Sequence, residues 1–87
     1  MNREANKVLI ADDDAMVRTT VSKILKMFGY EVETAIDGYE VVEKIDDTFD
    51  VVILDINMPE MDGFETMEKL NQLNHDIPVL FLWLFVF

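Results

Sequence analysis

Cysteine is absent from this chain, so neither a disulfide framework nor a thiolate zinc site can be built from it. That absence fits a reducing compartment, and a cytoplasmic location is the expectation. Bases are scarce. Seven Lys and Arg face 18 Asp and Glu, a net charge of -11, which argues against a nucleic-acid surface. Most of these acids are accounted for by a solvated surface. Long apolar runs are missing too. None approaches the ~20 residues of a membrane-spanning helix. The first residues, Met1 to Lys7, are polar and hold no apolar signal core, so no membrane role is expected. What is present is a globular composition, 51% hydrophobic over 87 residues. That is enough for one small domain, taken as 1–87, with no linker, internal repeat or second domain.

The stretch from Asp50 to Gly63 organises the rest. Val51-Val52-Ile53-Leu54 is an apolar run rich in β-branched residues, the pattern of a strand buried on both faces. It ends on Asp55. A turn-forming segment with Pro59 and Gly63 follows, and then a helical pattern. A carboxylate at the C-terminal end of a buried strand sits where open α/β sheets place their sites. A buried acid is costly unless it is paired or metal-bound. The plainer reading of Asp55 alone is a strand-ending turn residue.

Lys7 to Ala11 is a short apolar strand that ends in Asp12-Asp13-Asp14, with Asp14 a fitting N-cap. Val17, Val21, Ile24, Leu25 and Phe28 recur at helical spacing, and Gly29 suits the residue after the helix. Tyr30 to Ala35 alternates like an edge strand with one wetter face. Asp37-Gly38 is either a turn or a capped helix start, and Val41, Val42 and Ile45 give a short apolar helical face. Beyond Gly63, the residues Phe64, Met67, Leu70 and Leu73 predict a third helix, and Ile77-Pro78 leads into an apolar strand from Val79. The order β-α-β-α-β-α-β implies a parallel sheet with right-handed crossovers and helices on both faces.

In a parallel sheet all strand C-termini share one edge. Asp12, Asp13 and Asp55 therefore converge if the first and third strands are neighbours. Two carboxylates about 5 Å apart repel by roughly 3 kcal/mol at an effective dielectric near 20. Such a cluster must protonate or take up a cation. Oxygen ligands without Cys or His favour Mg²⁺ over zinc. A carboxylate beside a metal can accept a phosphoryl group, although the pattern alone does not say which Asp is the nucleophile.

These residues together resemble the receiver domain of bacterial two-component response regulators. The resemblance is carried by Val8 to Asp14 with Arg18, Gly29-Tyr30-Glu31-Val32, Asp37-Gly38, Asp50 to Asp55 with Met58-Pro59 and Met61-Asp62-Gly63, and Ile77-Pro78-Val79. It covers residues 7–82. It implies a flavodoxin-like doubly wound parallel sheet of strand order 2-1-3-4-5, here incomplete, with about four strands and three helices. It implies a phosphoacceptor module of a phosphorelay, not an enzyme. Asp55 would take the phosphoryl group from a sensor histidine kinase or phosphotransfer protein. Asp12, Asp13 and Asp55 would hold Mg²⁺ together with the backbone carbonyl of Asn57, Asp13 being the favoured direct ligand between the first two. Pro59 and Gly63 would shape the loop. Asp14 and Asp62 read as caps, Arg18 as a solvated helix residue, His75 as surface, and Met58 and Met61 as packing beside the loop.

The chain departs from the family pattern at its end. The family's Thr or Ser after the fourth strand falls on Trp83, which has one N–H and no hydroxyl. The chain stops before the family's Lys-Pro pair, so the expectation is a truncated receiver whose phosphorylation is impaired. Val79 to Phe87 has no charge and strong β-propensity, so self-association through the fourth strand is expected. The atypical tail, 83–87, suggests a frameshift or early stop. The rival reading is a non-phosphorylated module that competes for a kinase or receiver partner. A hydrolase is disfavoured because no phosphate-binding cation is visible near the Asp55 loop.

Overall fold

The computed structural model describes residues 6–73 and 75–82. Trp83 and the tail to Phe87, assigned above to an exposed strand, lie outside the described residues. The elements run β1 (Lys7–Ala11), α1 (Ala15–Met27), β2 (Glu31–Ala35), α2 (Gly38–Lys44), β3 (Val51–Asp55), α3 (Gly63–Gln72) and β4 (Val79–Leu82). All pairings are parallel, in the order β2-β1-β3-β4. The expected neighbours, β1 and β3, are paired at the centre, with Ala11 opposite Leu54. β2 is an edge strand, as its alternation suggested.

Side-chain alternation assigns the two faces. Leu9, Ala11, Val52 and Leu54 point to one side and form a buried cluster with Val41 and Ile45 from α2 and its end, and Leu70 from α3. Each fully buried Val or Leu among them contributes roughly 1.5–3 kcal/mol relative to exposure. Val8 and Ile10 point to the other side, where α1 packs, and are also buried. Helices thus lie on both faces.

The ends of the helices follow local chemistry. Asp14 caps α1 by accepting from the Met16 and Val17 N–H groups. At its far end the Gly29 N–H donates to Lys26 and the Tyr30 N–H to Leu25, with Gly29 at φ 93. That pair of bonds is a Schellman motif, which needs the left-handed residue that glycine adopts without strain. The open choice at Asp37-Gly38 resolves as a helix start, with Asp37 accepting from the Glu40 N–H. Asp62 and Glu65 form a reciprocal capping box at the start of α3.

The apolar faces of two helices need correction. On α3 the buried stripe is Gly63, Thr66 and Leu70. Phe64 and Leu73 are about half exposed. Thr66 gains its buried place because its hydroxyl donates to the Asp62 carbonyl at 2.8 Å, so its polar atom is satisfied. Phe64 instead lies on the outside, its ring 4.8 Å from that of Phe81. On α1 the predicted apolar face is only partly covered, with Ile24 and Phe28 exposed. Among the described residues, α1 is the sole helix on its side of the sheet.

Candidate functional site

Pairing of β1 with β3 brings the two strand tips side by side. Ala11 and Leu54 are in register, so the next residues, Asp12 and Asp55, meet at the C-terminal edge. One carboxylate oxygen each from Asp12, Asp13 and Asp55 lie within 4.8 Å of one another. The structure therefore brings together the three acids that the sequence nominated.

Their environments differ. Asp12 is 3% exposed, Asp13 is exposed and Asp55 is half-buried. The backbone fixes Asp12 tightly. Its N–H donates to the Ala35 carbonyl at 3.2 Å, and its carboxylate accepts from the Asp14 N–H at 2.9 Å. Burial pushes the Asp12 carboxyl up to about 6, and the neighbouring Asp55 and Asp13 charges add to that rise, while the Asp14 N–H opposes it. A buried acid with two acidic neighbours is electrostatically unfavourable in the absence of a cation.

Asp55 is held from below by its own loop. Its carboxylate accepts from the Asn57 N–H at 3.1 Å. Met58 is buried and Met61 half-buried, so both pack beside the loop as expected. The chain then turns sharply. Glu60 adopts φ 68, and the Met61 N–H donates to the Pro59 carbonyl at 2.7 Å. Gly63 closes the loop by donating to the Ile56 carbonyl at 3.1 Å. A Cβ on Gly63 would lie 2.6 Å from the Asp55 carbonyl oxygen and 3.1 Å from Ile56 Cα. Close backbone approach is the reason glycine stands there.

Arg18 is not the solvated residue that its helical position suggested. Its guanidinium is half-buried and donates to the Asp12 carbonyl at 2.8 Å. It braces the tip of β1 immediately beside the acid cluster. The sequence signal was its place one turn after the Asp14 cap, but the reach back over the β1–α1 turn shows only in three dimensions. His75 lies away from the cluster, at the opposite end of the sheet among Asp46, Asp50 and Pro78, and is no part of this site.

The donor set is oxygen alone, which suits a hard divalent cation. Two ligands on opposite sides of Mg²⁺ lie about 4.2 Å apart, each at about 2.1 Å from the ion. The 4.8 Å spread of the three oxygens is close to that span. The three acids therefore fit Mg²⁺.

Comparison with known proteins agrees with this geometry. The chain is 43% identical over 76 residues to response regulator RR06 of Streptococcus pneumoniae, covering 86% of this chain and 35% of that protein. It is similar in structure to the chemotaxis response regulator CheY4 of Vibrio cholerae, with a TM-score of 0.82, 42% identity, and 88% and 67% of the two chains covered. Response regulator TrrA of Thermotoga maritima, solved in complex with Mg²⁺ and BeF, matches with a TM-score of 0.79 and 32% identity, over 85% of this chain and 65% of that one. The chain spans about a third of the length of the curated regulators it matches. The family model for the response regulator receiver domain matches residues 8–83, and the chain belongs to that family.

Proposed function

We propose that this domain accepts a phosphoryl group on Asp55 from the phosphohistidine of a sensor histidine kinase or phosphotransfer protein. An Asp55 carboxylate oxygen attacks phosphorus. The new O–P bond forms as the N–P bond breaks, and the departing imidazole nitrogen keeps the electron pair and takes a proton. Asp12 and Asp13 would hold Mg²⁺ beside Asp55, joined by the Asn57 carbonyl, and the bound ion would neutralise charge on the transferred oxygens. The observation that carries this reading is the meeting of three carboxylates at the tips of two adjacent strands. Asp55 suits the nucleophile's part because it is the more accessible of the two strand-tip acids, and the Asn57 N–H orients it.

The test is incubation with Mg²⁺ and a small phosphodonor, read by intact mass. One added phosphoryl group, absent in Asp55→Ala, is the expected result. No adduct, with Mg²⁺-independent binding to a kinase retained, would favour a pure interaction module instead. Trp83 stands where the family carries a hydroxyl, so phosphorylation would be slow, and Trp83→Thr should accelerate it. Loss of one such stabilising donor typically costs a few kcal/mol of barrier. Self-association through β4 belongs to the same reading. Among the described residues β4 pairs only with β3, and Leu80 on it is 58% exposed.

A further inference from the structure

We propose that the groove between α1 and β2 is a docking site for an acidic peptide segment of a protein partner. Residues 15–30 contain Arg18, Lys23 and Lys26 and no acid, within a chain of net charge -11. Elsewhere Lys7 and Lys44 find carboxylates, while Lys69 on α3 stands as an isolated lysine without an ion pair among the described residues. Lys7 lies 3.1 Å from Glu33 and 4.0 Å from Glu31, and Lys44 lies 3.8 Å from Glu40. Among the described residues, Lys23 and Lys26 have no ion-pair partner. They border a groove of about 730 Å³ that also takes in Arg18 and the side chains of Thr19, Ser22 and Thr34.

A second observation points to the floor of the same groove. Ser22 is 7% exposed and its hydroxyl has no hydrogen-bond partner, an unusual condition for a buried polar group. Arg18 uses one N–H on the Asp12 carbonyl, out of the five that a guanidinium carries.

Spacing and shape select the kind of anion. Arg18 and Lys26 are separated by about 12 Å along the helix axis, at about 1.5 Å per residue. One phosphate or carboxylate cannot bridge that distance, whereas carboxylates spaced along a peptide can. The groove is open along its length. A small ligand would leave most of its surface in water there, and small-molecule sites usually enclose their ligands. In a chain of net charge -11, an acidic partner would be drawn to α1, whose residues include cations and no acid. Arg18 ties the near end of the groove to the Asp12 carbonyl, while Lys23 and Lys26 lie further along α1, so peptide binding there does not require phosphoryl transfer.

The experiment is fluorescence anisotropy of the full chain with a fluorescein-labelled peptide of alternating Glu and Ala, at low salt. Saturable binding is expected, and a Gln-Ala peptide of equal length should not bind. Lys23→Glu with Lys26→Glu should weaken binding by about tenfold or more, while Lys69→Glu on α3 should change it by less than about twofold. Lys23→Gln with Lys26→Gln, which removes charge without adding any, should give a smaller loss in the same direction and serves if the reversal variant does not fold. No binding to the native chain would overturn the proposal. So would an equal loss in Lys69→Glu, which marks unspecific attraction. Displacement by inorganic phosphate at matched ionic strength would overturn it too, because it marks a small-anion site.

Discussion

Burial, more than its two acidic neighbours, makes Asp12 hold its proton to about pH 6. The sign of the stability effect follows. A carboxyl with a raised folded pKa binds its proton more tightly when folded than when unfolded, so folding is favoured at low pH. That advantage is lost as pH rises from about 4 through 6, and by linkage it amounts to at most about 3 kcal/mol. Asp12→Asn keeps the acceptor for the Asp14 N–H and removes the titration. In metal-free buffer the variant should become progressively more stable than the native chain between pH 4 and pH 7, as read by thermal melts. Mg²⁺ should narrow that gap at pH 7, since a cation relieves the native cluster. The three acids were legible in the sequence because strand-end carboxylates in a parallel sheet must share an edge. Arg18 was not, because a side chain's reach across a turn has no periodic signature.

The loop between β3 and α3 carries the tightest backbone constraints. Gly63→Ala would force a methyl group against the Asp55 carbonyl and Ile56, both backbone atoms that cannot rotate away. We expect a loss of about 1–3 kcal/mol in denaturant melts, the range for overpacking, together with slower phosphorylation as Asp55 is displaced. Glu60 offers the opposite case. At φ 68 its Cβ is strained, so Glu60→Gly should be neutral or stabilising by up to about 1 kcal/mol, whereas Glu60→Val should destabilise by more than that. Chemical denaturation of the two variants side by side checks both signs. The sequence announced this loop through Pro59 and Gly63, and its caps through Asp14, Asp37 and Asp62. It misjudged α3, since Thr66 reads as polar until its hydroxyl is seen bonded to the Asp62 carbonyl. Counting apolar residues at helical spacing picked Phe64 and Leu73 because it registers hydrophobicity and not which side of the helix meets the sheet.

The whole molecule is a four-stranded sheet whose two faces are unequally covered among the described residues. One carries α2 and α3 over a buried cluster, and the other carries α1 alone, with Ile24, Phe28 and Leu80 exposed. Exposed apolar side chains next to an unpaired strand edge favour association. Leu80→Lys places a charge there at little cost to packing, and sedimentation should show less self-association than in the native chain. Unchanged sedimentation would remove β4 as the contact. The architecture was legible at this scale because alternating strand and helix patterns with short links leave few topologies. How fully each helix covers its sheet face was not, because periodicity identifies an apolar stripe without showing what lies against it.

The central claim is that the fold gathers three acids so that Asp55, and no other, carries phosphate. Treatment with a small phosphodonor, followed by borohydride reduction and peptide mass mapping, tests it most directly, because an aspartyl phosphate is reduced to homoserine. Homoserine at position 55 alone, and only with Mg²⁺ present, is the predicted result. Homoserine at position 12 or 13, or the same yield at 55 without the ion, would contradict it.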